Sequence, residues 1–286
     1  MTERRRILRH ESELGSWELV LRSPDLRLRA LVGEYEGYVE TAGSTGSVVR
    51  QQVPTTWLPL IVNFGSAWEV ADSPSGPRTS HDSFFAGLHQ RSSYVAASGS
   101  ASCLQVNFTP LGAFAFLGLP MHELVDWIVP LEDALPRPAR NLGARLADAS
   151  TWEERFARLD EVLLASLAGA REPSADVAWA WQALVTSHGR VPIGWLCDRL
   201  GRSRKQLAAR FREQIGLPPK TVARILRFSR AVGLLQGRAN GELAEVAFEC
   251  GYYDQAHLNR DFREFARTSP GEFARRIVPD GGVIAS

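Results

Sequence analysis

The sequence predicts an α+β protein of two domains. A β-rich barrel or sandwich with helices after it comes first, and an all-helical segment follows. Three observations carry this expectation. Short apolar stretches separated by turn residues fill positions 1–110. From Leu111 onward apolar residues recur at helical spacing. Residues 177–276 contain an internal repeat. With 286 residues, 44% of them hydrophobic, the chain can build one large or two ordinary domains around a sizeable core.

In the first domain, "WLPLIVNFG" (57–65) reads as a strand, and "ADSPSGPRTSHDS" (71–83) as a Gly/Pro/Ser loop. "SFFAGL" and "SYVAAS" follow, and "ASCLQVNFTP" (101–110) alternates apolar with polar residues. Several short strands at this spacing suit an antiparallel sandwich or barrel. "LGAFAFLGL" and "MHELVDWI" then read as helical. Residues 151–170 form an amphipathic helix, with Trp152, Phe156, Leu159, Leu163 and Leu167 at steps of three and four. Thr151 caps it, and Glu154 completes a capping box. The helices 111–128 and 151–170 either form a dimer face or cover the sheet. "REPSAD" breaks the pattern. The expected division is therefore a first domain at 1–170, a linker at 171–176, a second domain at 177–278 and a flexible tail at 279–286.

The second domain reads as short helices punctuated by Gly and Pro. A longer helix at 219–235 starts on prolines, which suit a first turn. Aligning Ser203 with Asp254 brings Leu207 onto Leu258, Phe211 onto Phe262, Arg212 onto Arg263, Glu213 onto Glu264 and Pro219 onto Pro270. Upstream, Gly201 meets Gly251 and Cys197 meets Ala247. Each copy has a short helix, a Gly turn and a second helix capped by Ser203 or Asp254, which describes a helix-turn-helix (193–214 and 243–266).

In each second helix one face is apolar (Leu207 and Phe211; Leu258, Phe262 and Phe265), and the other suits reading of double-stranded DNA. Arg204, Lys205, Ala208, Gln255, Ala256, Asn259 and Arg260 fit base edges: Arg and Lys pair with guanine, Gln and Asn with adenine, and Ala permits close approach. Arg212, Lys220, Arg263 and Ser269 fit phosphates, which position without specifying. Charge agrees with this division. Residues 176–278 hold 17 Lys/Arg against 10 Asp/Glu, a net of +7, while the remainder nets −6. A spacer helix of about 17 residues spans roughly 25 Å. With the widths of the packed units added, two reading helices about 34 Å apart are feasible.

Other chemistry finds little support. Cys103, Cys197 and Cys250 lie far apart, with no CxxC or Cys/His cluster, so reduced, buried thiols are expected and neither a metal nor a cofactor. His81 and His89 make no His-x-His pair. The amino-terminal stretch lacks the apolar core of a secretory signal, and no run reaches membrane-spanning length, so a cytoplasmic location without membrane contact is expected.

Residues 177–276 resemble the DNA-binding domain of AraC/XylS-type bacterial transcription regulators. "VAFECGYYDQAHLNRDFREFARTSPGEFAR" carries the resemblance best, and "LGRSRKQLAARFREQIGLPPK" matches the more degenerate first half. Two positions depart from the family pattern: Arg267 replaces the Gly usual before the Thr/Ser-Pro element, and Ala209 stands where many relatives have Arg. The resemblance implies a sequence-specific regulator, an activator in preference to a repressor. RNA polymerase and a second copy of the chain are its implied partners, and a cupin-like first domain would sense an effector or mediate dimerisation. "FAGLH" and "VNFTPLGAFAFLGLPMHELVDWIVPLEDAL" resemble actinobacterial sensor domains. Trp57, Phe64 and Trp68 are candidates for an effector pocket, with plain core packing as the alternative. No catalytic residue is expected. The competing reading is an enzyme in the first domain fused to a DNA-binding module.

Overall fold

A computed structural model describes residues 6–12, 15–42, 48–97, 99–237, 243–277 and 283–285. Eleven strands open the described chain: β1 (Arg6–Ser12), β2 (Gly15–Arg22), β3 (Val32–Ala42), β4 (Arg50–Gln52), β5 (Leu58–Asn63), β6 (Trp68–Ala71), β7 (Thr79–His81), β8 (Phe84–Ala86), β9 (Ser93–Ala97), β10 (Ala101–Phe108) and β11 (Ile128–Pro130). They pair antiparallel in a seven-stranded sheet, β1-β2-β3-β10-β5-β8-β11, and a four-stranded sheet, β4-β9-β6-β7. Period-two alternation gives the larger sheet two different faces. Tyr35, Leu104, Val106 and Phe108 point into the main core, whereas Glu36, Tyr38, Glu40, Cys103, Gln105 and Asn107 line a cavity that the smaller sheet also walls.

Helices cover the core side: α1 (Pro110–Leu117), α2 (Leu131–Ala134), α3 (Leu142–Ala147) and α4 (Trp152–Leu167). Of the two expectations for α4, it covers the sheet. Phe156 stacks on Tyr35 with ring centroids 5.9 Å apart. Trp152 lies so close to β3 that a Cβ on Gly37 would sit 2.6 Å from its ring, so that position needs glycine. Asp160 accepts a bond from the Tyr35 hydroxyl (2.8 Å) and pairs with Arg22 (3.1 Å).

The helical domain comprises α5 (Ala175–Thr186), α6 (Ile193–Leu200), α7 (Arg204–Gln214), α8 (Pro219–Gly237), α9 (Leu243–Glu249), α10 (Gln255–Phe265) and α11 (Pro270–Arg275). The pairs α6–α7 and α9–α10 turn on Gly201 (φ 60°) and Gly251 (φ 75°), left-handed positions that glycine adopts without strain. Leu207, Phe211, Leu258, Phe262 and Phe265 are all buried.

Several expectations need correction. Strands β1 to β3 escape a search for apolar runs, because their solvent and cavity faces are polar. Thr79–His81 is a strand that closes a hairpin on β6, inside the expected loop 71–83. "MHELVDWI" makes only one 3-10 turn at Met121–Leu124. Asp126, at φ 62°, then redirects the chain into β11, and its carboxylate accepts from the Gln90 backbone N–H (2.8 Å). Thr151 does cap α4, but Glu154 accepts from the backbone N–H of Ser150 rather than of Thr151, so the box is displaced by one residue. Within 171–176 the chain is anchored: α5 already starts at Ala175, Arg171 pairs with Glu213 (2.8 Å), and Gln214 accepts from the Ser174 N–H (2.9 Å). The spacer α8 is 19 residues long. Of the expected tail, 279–282 and 286 lie outside the described residues. Residues 283–285 are tied down, with Val283 buried and bridged to Ile277, Ile284 bridged to Arg50, and the Ala285 N–H bonded to the Val49 carbonyl (2.9 Å).

The two domains share one continuous core. Gln51 of β4, 4% exposed, donates to Ser92 Oγ (2.9 Å) and to the Ala266 carbonyl (2.7 Å), and it accepts from Arg276. Ser92 donates through both its N–H and its hydroxyl to the Phe265 carbonyl (2.9 and 2.8 Å). The carboxy-terminal end of α10 is thereby docked on the edge of the cavity-bearing sheets. A Cβ on Gly216, after α7, would stand 3.2 Å from the Met121 carbonyl oxygen, so the first unit also abuts the first domain.

Candidate nucleic-acid interface and cavity

Both second helices begin on a side-chain cap. Ser203 Oγ accepts from the Gln206 N–H (3.2 Å), and the Gln206 side chain accepts from the Ser203 N–H (2.9 Å). Asp254 Oδ1 accepts from the His257 N–H (2.7 Å). These caps use the first-turn donors, so each helix starts cleanly at the turn where a partner can approach. Arg204, Lys205, Gln255, Ala256 and Arg260 are exposed, and Ala208 and Asn259 are half-buried. At i, i+1, i+4 and i+5 on α10, four of these share one face. Arg212, Lys220 and Arg263 are exposed. Ser269 is placed differently from these three candidates for phosphate contact. It caps α11, accepting from the Glu272 N–H (3.3 Å) and donating to the Glu272 carboxylate (2.7 Å), so its hydroxyl is engaged within the fold.

Neighbouring residues sort into inward roles. Asp261, 2% exposed, binds Arg224 of α8 (2.7 and 3.2 Å), and the same guanidinium reaches Glu264 (2.5 Å). Those carboxylates raise the Arg224 pKa further above its ordinary value. Tyr252 is buried at the turn, edge-on to His257 with centroids 5.1 Å apart. In the first unit Arg210 pairs with Asp176, which leaves Arg204, Lys205 and Arg212 as the exposed cations of α7. Arg267 itself takes the left-handed conformation, φ 56°, that glycine would adopt freely.

The cavity between the sheets has a volume of about 550 Å³. Trp57 and Trp68 line it; Phe64 does not. Phe64 lies on the opposite side of the large sheet, near Trp152 (6.3 Å between centroids), with the Arg155 guanidinium 4.3 Å from its ring centre. Trp17 and Tyr38 add aromatic wall. Cavity polar groups that the sequence did not single out are Glu36, Glu40, Arg50, Gln105 and Asn107. Their signal was present in "EYEGYVE" (34–40), where Glu36, Tyr38 and Glu40 alternate onto one face. Glu40 accepts from Arg50 (2.8 Å) and from the Tyr38 hydroxyl (2.8 Å). Glu36 accepts from Asn107 (2.8 Å), whose own side-chain oxygen is taken by Gln105 (2.9 Å). Burial pushes the Glu36 carboxyl up to about 7 and the Cys103 thiol up to about 12. Among the described residues no group of three or more His, Cys, Asp or Glu could hold a metal, and no helix is long and apolar enough to cross a membrane.

Comparison with known proteins places these features. Residues 196–276 match a helix-turn-helix domain family, and residues 22–130 match a domain of unknown function, DUF6597. The HTH-type transcriptional regulator MtrA of Neisseria gonorrhoeae is 29% identical over 85 residues, 28% of this chain and 28% of that protein's length. Among solved structures, ToxT from Vibrio cholerae aligns over 84% of this chain and 98% of its own, with 9% identity and a TM-score of 0.46. The C-terminal domain of AraT, a response regulator from Geobacillus stearothermophilus, aligns over 37% and 88%, with 20% identity and a TM-score of 0.34. Residues 196–276 are thus similar to the helix-turn-helix domain of transcriptional regulators and follow an amino-terminal antiparallel β-domain, an order that agrees with the resemblance to AraC/XylS-type regulators.

Proposed function

We propose that the protein is a sequence-specific, non-enzymatic transcription regulator of the cytoplasm, whose β-domain binds a small-molecule effector. The observation that carries this is the pair of capped second helices, α7 and α10, each with its apolar face buried and an outer face of Arg, Lys, Gln, Asn and Ala left open. In this reading Arg204, Lys205, Ala208, Gln255, Ala256, Asn259 and Arg260 read bases, and Arg212, Lys220 and Arg263 hold phosphates. The resemblance favours activation, with RNA polymerase as the protein partner and a homodimer as the working state. A thiol held near 12 is a poor thiolate source, which counts against Cys103 as an enzyme nucleophile.

The junction suggests how an effector acts. Arg50 and Gln52 line the cavity, while Gln51 between them holds the end of α10. Ligand and reading helix therefore meet opposite faces of one three-residue strand. Selection of DNA from a random pool by the full-length protein tests the reading. It should yield a defined site bound with a steep salt dependence. Enrichment of no sequence, or salt-insensitive binding, would refute it. Gln51→Ala should weaken any effect of an added effector on DNA affinity.

A further inference from the structure

On that effector reading, we propose that the ligand is an organic cation: a protonated amine or amidine on an aromatic or apolar frame, its charge set against Glu36 and its frame against Tyr38, Trp17 and Trp57. The cavity size, about 550 Å³, suits a drug-sized molecule. Charge decides its class. The lining carries two carboxylates, Glu36 and Glu40, together with Arg50, Arg91 and His89. Arg50 is bound to Glu40 (2.8 Å). Arg91 is exposed, and its charge is felt by Glu264 of α10. His89 turns Nδ1 to the Gly87 carbonyl (2.8 Å). Glu36 alone has no cation: among the described residues it forms no ion pair and accepts only the Asn107 amide. Asn107 is fixed in that role, because Gln105 occupies its side-chain oxygen (2.9 Å).

Glu36 is half-buried, and a carboxylate drawn partly out of water and held only by a neutral amide is costly, a cost that an opposite charge relieves. Loss of solvent raises this carboxyl to about 7, with the Asn107 amide offsetting part of the rise and Glu34 close by adding to it. Trp57 stands at the Glu36 end of the cavity. Its ring lies 3.6 Å from where a Gly33 side chain would begin, and the Asn107 carbonyl oxygen is 3.7 Å from that same point. Aromatic faces attract cations, so the wall and the carboxylate select for the same charge. An anion would meet Glu36 unfavourably, and of the two arginines in the lining Arg50 is already bound to Glu40 and Arg91 is exposed.

Calorimetric titration of the full-length protein with benzamidinium, benzamide, benzoate and xylose tests this. Benzamidinium should bind at least about tenfold more tightly than the other three, as a charge-assisted bond plus a cation–π contact implies. Glu36→Gln should abolish that preference while leaving benzamide binding intact, and Trp57→Leu should weaken benzamidinium several-fold more than benzamide. Thermal unfolding of Glu36→Gln, no less stable than wild type, rules out misfolding as the cause; if that variant is unstable, Trp57→Leu decides. Equal or tighter binding of benzamide, benzoate or xylose, a preference that survives Glu36→Gln, or no binding at all would overturn the cation proposal. If a neutral compound binds and shifts affinity for the selected DNA, the effector reading stands without the cation. If no cavity ligand shifts it, the effector reading falls as well.

Discussion

The cavity of the β-domain holds a half-buried carboxylate and the second helix-turn-helix a buried one, and the fold treats them differently. Asp261 on α10 is 2% exposed and faces the Arg224 guanidinium at 2.7 Å. Asp160 on α4 likewise has Arg22 and the Tyr35 hydroxyl. Among the described residues Glu36 has an amide and no cation. Where a charge serves the fold, the chain supplies its counter-ion from a neighbouring helix or strand. At Glu36 in the cavity wall the counter-ion is missing, although its neighbour Glu40 has Arg50. A buried acid and a half-buried one that sequence treats alike are thus separated by what packs against them.

Removing the arginine attacks the compensated side of this comparison. Arg224→Ala strands Asp261 among Phe262, Phe265 and Tyr252 and should cost about 3–5 kcal/mol, read by chemical denaturation. A loss below about 1 kcal/mol would mean that Asp261 is compensated by something other than Arg224. The uncompensated side predicts a pH effect. Glu36 has a folded-state pKa near 7, above its ordinary 4.5. Its protonated form is favoured in the fold, so that contribution is whole below about 4.5 and fades as pH rises through about 7. The ligand-free protein should lose up to about 3 kcal/mol across that window, and Glu36→Gln should flatten this part of the profile. An unchanged profile in the variant would place the titration elsewhere.

Sequence reached the helical domain far better than the cavity. Leu207, Phe211, Leu258 and Phe262 announce helices because their spacing of four is local, and the same plan occurs twice. Capping by Ser203 and Asp254 is equally local. The cavity is assembled from β3, β10, β4 and β6, strands brought together only by sheet pairing, so Glu36 and Asn107 are neighbours at a separation of 71 residues. Phe64 shows the converse failure. One step of strand parity sends it to the α4 side, although it lies between two tryptophans that line the cavity. The docking of Gln51 on Ala266 joins residues 215 positions apart and leaves no trace in local pattern.

The next test separates inward from outward charge on one helix. Arg260 precedes Asp261 but is exposed. Arg260→Ala should leave stability within about 0.5 kcal/mol of wild type. It should weaken the selected DNA site by about 1–3 kcal/mol and relax preference at one or two base pairs, measured by competition binding. Equal weakening on all sequences would make Arg260 a phosphate contact instead. Arg212→Ala or Arg263→Ala should do just that, lowering the salt slope by about 1.

The smallest expected effect lies where α10 meets the β-domain. Arg267 holds φ 56° one residue after Ala266, whose carbonyl accepts from Gln51. A left-handed conformation costs a side-chain-bearing residue roughly 1–2 kcal/mol, and glycine escapes that cost while losing more backbone entropy on folding. Arg267→Gly should therefore stabilise the protein by about 0.5–1 kcal/mol, seen as a modest rise in Tm. Because Arg267 is exposed and has no buried charge partner among the described residues, the change is opposite in sign to Arg224→Ala on the same helical unit. A fall in Tm would mean that the Arg267 side chain itself secures the junction, as the Arg224 side chain secures Asp261.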